Sequence, residues 1–466
     1  MKKLFLSLAC ASALLSPLHA ETDLLELKAS EVKNLQMMSN NHAPKTVIVV
    51  RNRSTAGFVD NLIQTLKKIN QEDNAGIRLH VIVDSSWSAS SFKQQLQSQD
   101  LLGSLVEVNE EFYTSDQWMQ DWGEILVAEL QDGQRVQAIF DSNRGRGLQG
   151  LAKVFARMWN ARYTKNPSNA GIKGDYGGNI EVTPDNVLVL GTTSTQQLRS
   201  FFAERGYADK MALLDTDWLQ VGHVDEYISF IPDASAPNGY SIVKADPSLA
   251  LDTIRDASDT ELNQVLSDYR SQIKAMHEAL QSEGMTRGSL GDYDLSEGNP
   301  LADAATRNND SRMNQLVDLN REIASLIDAN VERLKAKITE ATGGEHSEFS
   351  VISFPTLFKG SKYGGSLSRC VALLPGTVNM LVLGQHAVIP DAQFPMFNDL
   401  IRKATEGKAI KPHFLENLAY HYYAGQIHCG TNVVRDPAHY VVKPELILRW
   451  KERQARLARF RELISR

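Results

Sequence analysis

Four separated segments of this sequence contain more acids, histidines, cysteines and glycines than a structural strand or turn needs. They are residues 118–124, 177–181, 222–226 and 428–432. Catalytic sites are commonly assembled from the ends of elements that lie far apart in the chain. We therefore treat the four segments as candidates for a single site.

The segment 222–226 contains a histidine and a carboxylate two positions apart. On an extended chain this spacing points His223 and Asp225 to the same face. A His–Asp pair that only stabilises a strand end would show the same pattern. A zinc-ligand role is also open, although no H-E-x-x-H and no paired C-x-x-C supports it. This segment alone does not define a function.

Cys429 adds a candidate nucleophile, since it lies in a polar segment that can form a turn. A thiol becomes a nucleophile when a cation or backbone N–H groups favour its thiolate, and Gly430 and Thr431 could supply such donors. Peptide cleavage by a Cys–His pair needs an oxyanion hole and one orienting acid or amide. Attack on a guanidinium instead needs carboxylates that hold the cation, and Asp121 and Asp225 would suit that purpose.

The other two cysteines are Cys10, within the first 20 residues, and Cys370, which precedes an apolar run typical of a strand. In an exported protein, a disulfide between Cys370 and Cys429 is one reading. The two settings differ, since Cys370 is expected to be packed and Cys429 to be presented. Both possibilities stay open at this point.

Residues 1–20 combine two lysines, an apolar run and an alanine before Glu21, which is typical of a cleavable secretory signal. The run is shorter than the roughly 20 apolar residues of a transmembrane helix, and no later stretch reaches that length. We expect an exported protein, secreted or periplasmic, without stable membrane insertion.

The chain has 466 residues, of which 42% are hydrophobic, enough for one large or two ordinary domains. Loss of the first 20 residues removes two lysines and no acid, so the net charge changes from −7 to −9. This balance argues against general nucleic-acid binding and suits a cationic substrate.

Short β-branched runs alternate with helical patterns, which predicts an α/β protein. The predicted strands cover residues 46–50, 79–83, 136–140, 187–190, 240–243, 349–354 and 378–383. The predicted helices between them include residues 59–69, 148–159 and 195–205. Because no Gly-rich phosphate loop follows the first strand, we do not expect a doubly wound nucleotide fold.

The domain prediction follows changes in this pattern. Residues 21–43 are polar and read as a linker, and a single domain follows over residues 44–443. A helical insertion is predicted over about 249–340, with helices at 259–281 and 313–335 and a Gly/Asp/Asn-rich stretch between them. Residues 444–466 have apolar positions at helical spacing and predict a docked C-terminal helix.

Seven motifs, in the same order, resemble the catalytic domain of the protein-arginine deiminases. They are W-M-Q-D-x-x-E, F-D-S-x-R-x-R-G-L, G-N-I-E-V, V-G-H-V-D-E-Y-I-S-F-I-P, P-T-L-F, V-N-M-L-V-L-G-x-H-x-x-I-P and H-C-G-T-N-V. The similarity runs from about residue 118 to residue 437. It implies a pentein fold, an α/β propeller in which five ββαβ-like modules surround a central active site.

The resemblance also implies a catalytic role for four residues. Cys429 matches the nucleophile, His223 the general acid/base, and Asp121 and Asp225 the carboxylates that bind the guanidinium. In the implied reaction the thiolate attacks the guanidinium carbon, His223 protonates the departing ammonia, and water hydrolyses the thiouronium to give citrulline.

Three further residues match substrate-binding positions. By resemblance, Arg146 holds the peptide backbone of the substrate, Arg144 lies beside it, and Trp118 packs on the stem of the target arginine. At Tyr423 the chain departs from the vertebrate enzymes, which carry an arginine near the entrance. The implied substrate is an arginine-containing protein or peptide.

Calcium is the cofactor that the resemblance implies. One site is matched by the side chains of Gln120, Glu124 and Glu181 and by the backbone carbonyls of Gly177 and Ile180, all oxygen ligands of the kind calcium prefers. A second family site is less complete here. Trp122 and Gly145 replace an acid and an amide, which leaves only Asp141 and Ser142 as ligands.

Three other functions remain open from the sequence. A deiminase of free arginine or agmatine would use the same chemistry on a smaller substrate. A catalytically inactive protein that binds arginine-containing partners would keep the pocket. A cysteine protease would use the Cys–His pair on a peptide bond.

Overall fold

The computed structural model describes residues 26–282, 309–360, 367, 369–408 and 410–442. The predicted secretory signal, most of the stretch joining the two insertion helices, and the predicted C-terminal helix lie outside these residues. Within them, none of the helices has the length and apolar character needed to span a bilayer.

Strands and helices alternate along much of the described chain. The strands are β1 (Val32–Met37), β2 (His42–Arg51), β3 (Arg78–Val83), β4 (Val106–Val108), β5 (Gly123–Leu130), β6 (Arg135–Asp141), β7 (Arg162–Lys165), β8 (Ile180–Val182), β9 (Leu188–Gly191), β10 (Met211–Leu214), β11 (Ile228–Pro232), β12 (Tyr240–Asp246), β13 (Ser350–Pro355), β14 (Phe358–Gly360), β15 (Cys370–Ala372), β16 (Leu381–Leu383), β17 (His386–Pro390), β18 (Lys411–Leu415) and β19 (Thr431–Tyr440). The α-helices are Ala56–Asp73, Ser86–Gln97, Leu151–Met158, Gln196–Phe202, Pro247–Asp256, Asp259–Leu262, Ser267–Ser282, Asn309–Ala341, Pro395–Thr405 and Leu418–His421. The protein therefore has a mixed α/β fold.

Among the strands that the structure describes, one three-stranded arrangement recurs five times. In each unit the first strand pairs antiparallel with the second, and the second pairs parallel with the third. The units are β5–β6–β7, β8–β9–β10, β11–β12–β13, β16–β17–β18 and β19–β2–β3. Each parallel connection contains a helix, because the chain must cross from the end of one strand back to the opposite end of the sheet before the parallel neighbour begins. The last unit joins the two ends of the described chain, since β19 lies beside β2.

The crossover helices bury one apolar stripe each. In Ala56–Asp73 the apolar residues recur at intervals of three and four, which places them on one face. The buried members are Phe58, Val59, Leu62, Ile63, Leu66 and Ile69. They pack with β2 and β3 in one hydrophobic cluster. Burial of each such side chain contributes about 1.5–3 kcal/mol.

The predicted helical insertion lies in the crossover between β12 and β13, whose described residues form four α-helices. The predicted helix over 259–281 is interrupted after Leu262 and resumes at Ser267. In the gap, the guanidinium of Arg270 donates to the carbonyl of Val265 at 2.9–3.1 Å. This contact satisfies a carbonyl that a continuous helix would have used. The second predicted helix is longer than expected and spans Asn309–Ala341.

The predicted linker over 21–43 is wrong for its second half. Val32–Met37 forms β1, which pairs antiparallel with β5, and Val32, Leu35 and Met37 are buried. The register shifts between Val32 and Asn34, so the buried positions do not follow a strict alternation. That irregularity hides the strand from a search for period-two patterning.

The last predicted strand, residues 378–383, is also shorter than expected. Only Leu381–Leu383 pair as β16, although the whole run is apolar except for Asn379. The residues before β16 instead form a turn-containing segment that carries the Asn379 side chain to the candidate site.

Candidate active site

Cys429 lies in a tight turn between the helix Leu418–His421 and β19. The turn is closed by Gly430 N–H, which donates to the carbonyls of Gln426 and Ile427 at 3.1 and 3.2 Å. A Cβ atom at Gly430 would lie 2.4 Å from the Tyr420 ring, so the close packing requires glycine. This turn presents the thiol to a cavity formed by segments that are distant in the sequence.

Asp225 and Asn379 are the polar neighbours of the thiol. Cys429 Sγ lies 3.4 Å from Asp225 Oδ2 and 3.2 Å from Asn379 Nδ2. The backbone N–H of Cys429 donates to Asn379 Oδ1 at 3.1 Å, and Asn379 Nδ2 lies 3.2 Å from the carbonyl of Asp225. Asn379 therefore fixes the nucleophile and the acid relative to each other.

His223 precedes a 3₁₀ turn at Val224–Glu226 that contains Asp225, and both side chains approach Gly178. A Cβ atom at Gly178 would lie 2.5 Å from His223 Nδ1 and 3.1 Å from Asp225 Oδ2. The other ring nitrogen, His223 Nε2, lies 2.9 Å from the carbonyl of Lys173, which assigns the proton to Nε2 when the ring is neutral. Nδ1 therefore faces the site.

Asp121 completes the group of four predicted catalytic residues. Its Oδ1 lies 3.9 Å from His223 Nδ1. Its Oδ2 accepts from Arg144 Nη1 at 2.5 Å, and Arg144 Nη2 also pairs with Asp116 Oδ2 at 3.1 Å. Burial raises the pKa of Asp121, and the Arg144 guanidinium acts in the opposite direction. The structure thus brings Asp121, His223, Asp225 and Cys429 together.

The electrostatics of the site disfavour a thiolate when no cation is present. Burial raises the pKa of Cys429 well above its usual range, and the charges of Asp225 and Asp121 raise it further. A positively charged group between the two acids would cancel their effect on the thiol. The arrangement therefore suits a cationic substrate.

The three predicted substrate-binding residues have different environments. Trp118 packs beside the thiol-bearing turn, because a Cβ at Gly425 would lie 2.3 Å from its ring. Arg144 is buried between two acids, so its guanidinium is already engaged. Arg146 has a side chain that is 68% exposed, with Nε 3.9 Å from Asp116 Oδ2. Tyr423 is also exposed, at 67%.

A second cavity, of about 50 Å³, adjoins the catalytic group. Gln120, Glu124, Ile180 and Glu181 line it, together with polar residues that include His428 and Arg435. The fifth predicted ligand, Gly177, is adjacent, because its added Cβ would lie 2.1 Å from the Gln120 carbonyl oxygen and 2.5 Å from Glu124 Oε1. The predicted metal ligands therefore converge.

The charges in this cavity fit a bound cation. Burial and the neighbouring Glu181 carboxylate hold the pKa of Glu124 well above its usual value. Burial raises the pKa of Glu181 to about 7, although His428 lowers it. Two buried carboxylates that repel each other and carry oxygen donors would be stabilised by a hard cation.

Asp141 and Ser142, the two ligands left for the second predicted metal site, have partners within the protein. Asp141 accepts hydrogen bonds from Asn143 N–H at 2.8 Å and from Tyr163 O–H at 2.8 Å. Ser142 Oγ donates to the carbonyl of Asp121 at 2.5 Å. Both side chains are thus engaged in protein hydrogen bonds.

No disulfide joins Cys370 and Cys429. Cys370 is buried in β15, and burial raises its pKa to about 11. Both cysteines are buried, so the expected contrast is limited to their surroundings: Cys370 lies in a strand and Cys429 lines a cavity.

Sequence reasoning missed three residues that the geometry makes part of the site. Asn379 contacts Cys429, Asp116 holds Arg144, and His428 lies 2.9 Å from Asp225 Oδ2 and 3.6 Å from Glu181 Oε1. Although burial lowers it, the two carboxylates raise the pKa of His428 above its usual value. The only available signals were an asparagine within an apolar run and a histidine next to the cysteine.

A cysteine, a histidine and paired acids at one cavity define a candidate hydrolase site for a cationic group, and comparison with known proteins identifies the family. The model of the protein-arginine deiminase family matches residues 186–441, more than half of the chain. The chain therefore belongs to the protein-arginine deiminase family.

Curated relatives agree with this family assignment. Mouse protein-arginine deiminase type-3 is 28% identical over 356 residues, which cover 69% of this chain and 47% of the relative. Human protein-arginine deiminase type-4 is 28% identical over 358 residues, which cover 70% and 48%. The chain spans about half the length of the curated relatives it matches.

A similar fold is found among solved structures. The X-ray structure of a candidate agmatine deiminase superposes with a TM-score of 0.53 at 10% identity, covering 88% of this chain and 99% of that one. At this identity the likeness concerns the fold alone, and it supports the mixed α/β architecture.

Proposed function

We propose that this protein hydrolyses arginine side chains of proteins or peptides to citrulline, with release of ammonia. The observation that carries the proposal is the approach of the Cys429 thiol to within 3.4 Å of Asp225, in a buried group that also contains His223 and Asp121. Family membership supports the same reaction class.

Binding of the substrate activates the nucleophile in this scheme. The guanidinium lies between Asp121 and Asp225, each of which can accept a pair of N–H groups. Its positive charge offsets the two acids that hold the pKa of Cys429 high, so the thiolate becomes accessible. Asn379 Nδ2, 3.2 Å from Sγ, donates a hydrogen bond to that thiolate.

His223 carries the proton in the chemical steps that follow. The Cys429 thiol first passes its proton to Nδ1 of His223, which leaves a thiolate and an imidazolium. Sγ then bonds to the guanidinium carbon, and the C–N bond breaks as His223 gives the leaving nitrogen that proton, so that ammonia departs. The neutral His223 next takes a proton from water, which attacks the thiouronium carbon. The C–S bond breaks, the protonated product gives its extra proton to the released ammonia, and citrulline leaves. His223 then returns its proton to the thiolate, which restores the starting thiol.

Arg146 and Trp118 would position the peptide. The exposed guanidinium of Arg146 is available to peptide carbonyls outside the pocket, whereas that of Arg144 pairs with Asp116 and Asp121. We therefore assign Arg146 to the substrate backbone and Trp118 to the arginine stem. Arg144 is better described as a residue that positions Asp121.

Calcium would occupy the cavity lined by Gln120, Glu124, Ile180 and Glu181, with Gly177 beside it. Bound there, the cation would supply positive charge that keeps both buried glutamates ionised and orders the segments that carry them. The raised pKa values of Glu124 and Glu181 support this assignment.

We further propose that the five recurrent three-stranded units are the modules of a five-bladed pentein propeller around this site. The pairing of β19 with β2, which closes the series through the two ends of the chain, supports that arrangement. The basic and apolar residues within 1–20 support export to the periplasm or the exterior.

The decisive experiment measures citrulline and ammonia from a blocked arginine peptide, free arginine and agmatine. We expect the peptide to be the preferred substrate, Cys429→Ala to abolish turnover, and Cys370→Ala, the matched cysteine control, to retain it. Equal activity in Cys429→Ala would defeat the proposal, and preference for free arginine or agmatine would redirect it to a small substrate. Peptide cleavage without citrulline would instead indicate a cysteine protease.

The calcium assignment has its own test. Excess chelator should reduce the activity of the full chain, and added calcium should restore it. Full activity in excess chelator would contradict a requirement for calcium. It would not contradict the proposed deiminase activity.

A further inference from the structure

Glu72, Asp73 and His386 form a cluster on elements that do not contribute to the catalytic group. Glu72 and Asp73 end the helix Ala56–Asp73, and His386 begins β17. One ligand atom from each of the three side chains lies within 4.8 Å of the other two. We propose that this cluster is a site for a divalent transition-metal cation, with zinc as the best match.

His386 is oriented as a metal ligand. Its side chain is 2% exposed, and Nε2 lies 2.8 Å from Asp73 Oδ2, facing the two acids. On the opposite side of the ring, Nδ1 lies 2.8 Å from His413 Nε2. Histidines that bind metals usually have their second nitrogen held in this manner, which fixes the ring orientation. His413 thus acts as a positioning residue for His386.

The two acids already hold a cation in the structure. Lys411 Nζ lies 3.0 Å from Asp73 Oδ1 and 3.4 Å from Glu72 Oε2. The lysine side chain is 52% exposed, and such exposed ion pairs contribute little to stability. A metal ion can therefore displace the ammonium at little cost, while Lys411 swings into solvent.

Access and charge both favour a cation at this place. The side chains of Asp73 and Glu72 are 29% and 35% exposed, so an ion can reach them from solvent. Both lie in the last turn of an 18-residue helix, whose carboxyl end carries partial negative charge. Water would complete the coordination shell.

The ligand types distinguish this site from the cavity at Glu181. One imidazole and two carboxylates match zinc, which accepts nitrogen and oxygen ligands. Calcium prefers oxygen ligands alone, as in the cavity that Glu124 lines. The two sites should therefore take different metals.

The test is a calorimetric titration of the chelator-treated full chain with Zn²⁺, in a Cys429→Ala background so that the catalytic thiol does not bind the metal. We expect one zinc ion per chain at this cluster. Glu72→Gln should weaken its binding by about tenfold or more, since a ligand is lost. Lys411→Met, which removes the competing ammonium, should strengthen it.

The opposite responses of these two surface variants separate a metal site from a structural cluster. His386→Gln is less useful because the side chain is buried and the variant could unfold. Absence of zinc binding would overturn the proposal. Zinc binding that is unchanged in both Glu72→Gln and Lys411→Met would also overturn it, since the ion would then lie elsewhere.

Discussion

Asn379 provides a direct test of how the site prepares its thiol. Its Nδ2 lies 3.2 Å from Cys429 Sγ, and its Oδ1 accepts from the Cys429 N–H at 3.1 Å. Asn379→Asp keeps the size and the acceptor oxygen but replaces the amide donor with a carboxylate oxygen. The substitution should therefore disfavour the thiolate while the turn keeps its backbone contact.

The lost hydrogen bond sets the minimum effect, because the introduced carboxylate would also repel a thiolate. A hydrogen bond to a charged group contributes about 1.5–3 kcal/mol, and about 1.36 kcal/mol corresponds to a factor of ten. Burial, Asp225 and Asp121 already hold the pKa of Cys429 well above its usual range, so only a small fraction is thiolate at neutral pH. Loss of the donor should reduce that fraction by about 10- to 100-fold.

Alkylation by iodoacetamide in the absence of substrate measures the thiolate directly. The rate at Cys429 is followed by peptide mass spectrometry over a range of pH, and Cys370 is read out separately. Asn379→Asp should be alkylated about 10- to 100-fold more slowly at neutral pH. Asn398→Asp, a matched change at another buried asparagine, should behave as wild type. A wild-type rate for Asn379→Asp at every pH would refute the reasoning.

Three further predictions concern neighbouring side chains. Burial raises the pKa of Asp121, and the charge of Arg144 lowers it. Arg144→Gln removes that charge, so the acid limb of the kcat/KM profile should move to higher pH. An unmoved acid limb would contradict this prediction. Gly178→Ala places a Cβ 2.5 Å from His223 Nδ1, so kcat should fall by at least about tenfold while circular dichroism shows a retained fold. Glu181→Gln removes one of two cavity carboxylates, so the calcium concentration for half-maximal activity should rise by about tenfold, and an unchanged value would exclude that ligand.

Strands and helices could be predicted where buried apolar residues follow a regular pattern along the chain. Six of the seven predicted strands fall within or largely overlap observed strands, because continuous apolar runs such as Leu188–Gly191 are buried on both faces. The strand Val32–Met37 was missed because its register shift breaks the alternation. The family resemblance implied the five recurrent units. Local sequence patterns could not have shown them, because the pairing between β19 and β2 joins residues almost 400 positions apart.

The sequence motifs could name candidate residues for the site but could not predict their contacts. The sequence motifs named Asp121, His223, Asp225 and Cys429, which the structure brings together. The engagement of Arg144 by Asp116 and Asp121 could not be predicted, because neighbouring arginines in one loop give no signal of which side chain is buried. Spacing along the chain does not fix the direction of a side chain in an irregular loop.

His428 connects the two halves of the site. Its Nδ1 lies 2.9 Å from Asp225 Oδ2, and its Nε2 lies 3.6 Å from Glu181 Oε1. The imidazole of His428 lies between the two acids. A cation that offsets the charge of Glu181 would therefore change the electrostatic interaction between His428 and Asp225. Asp225 in turn contacts the Cys429 thiol and raises its pKa. If a cation binds at Glu181 as proposed, its occupancy would be coupled to the reactivity of the thiol through the side chains of Glu181, His428 and Asp225, without movement of the backbone.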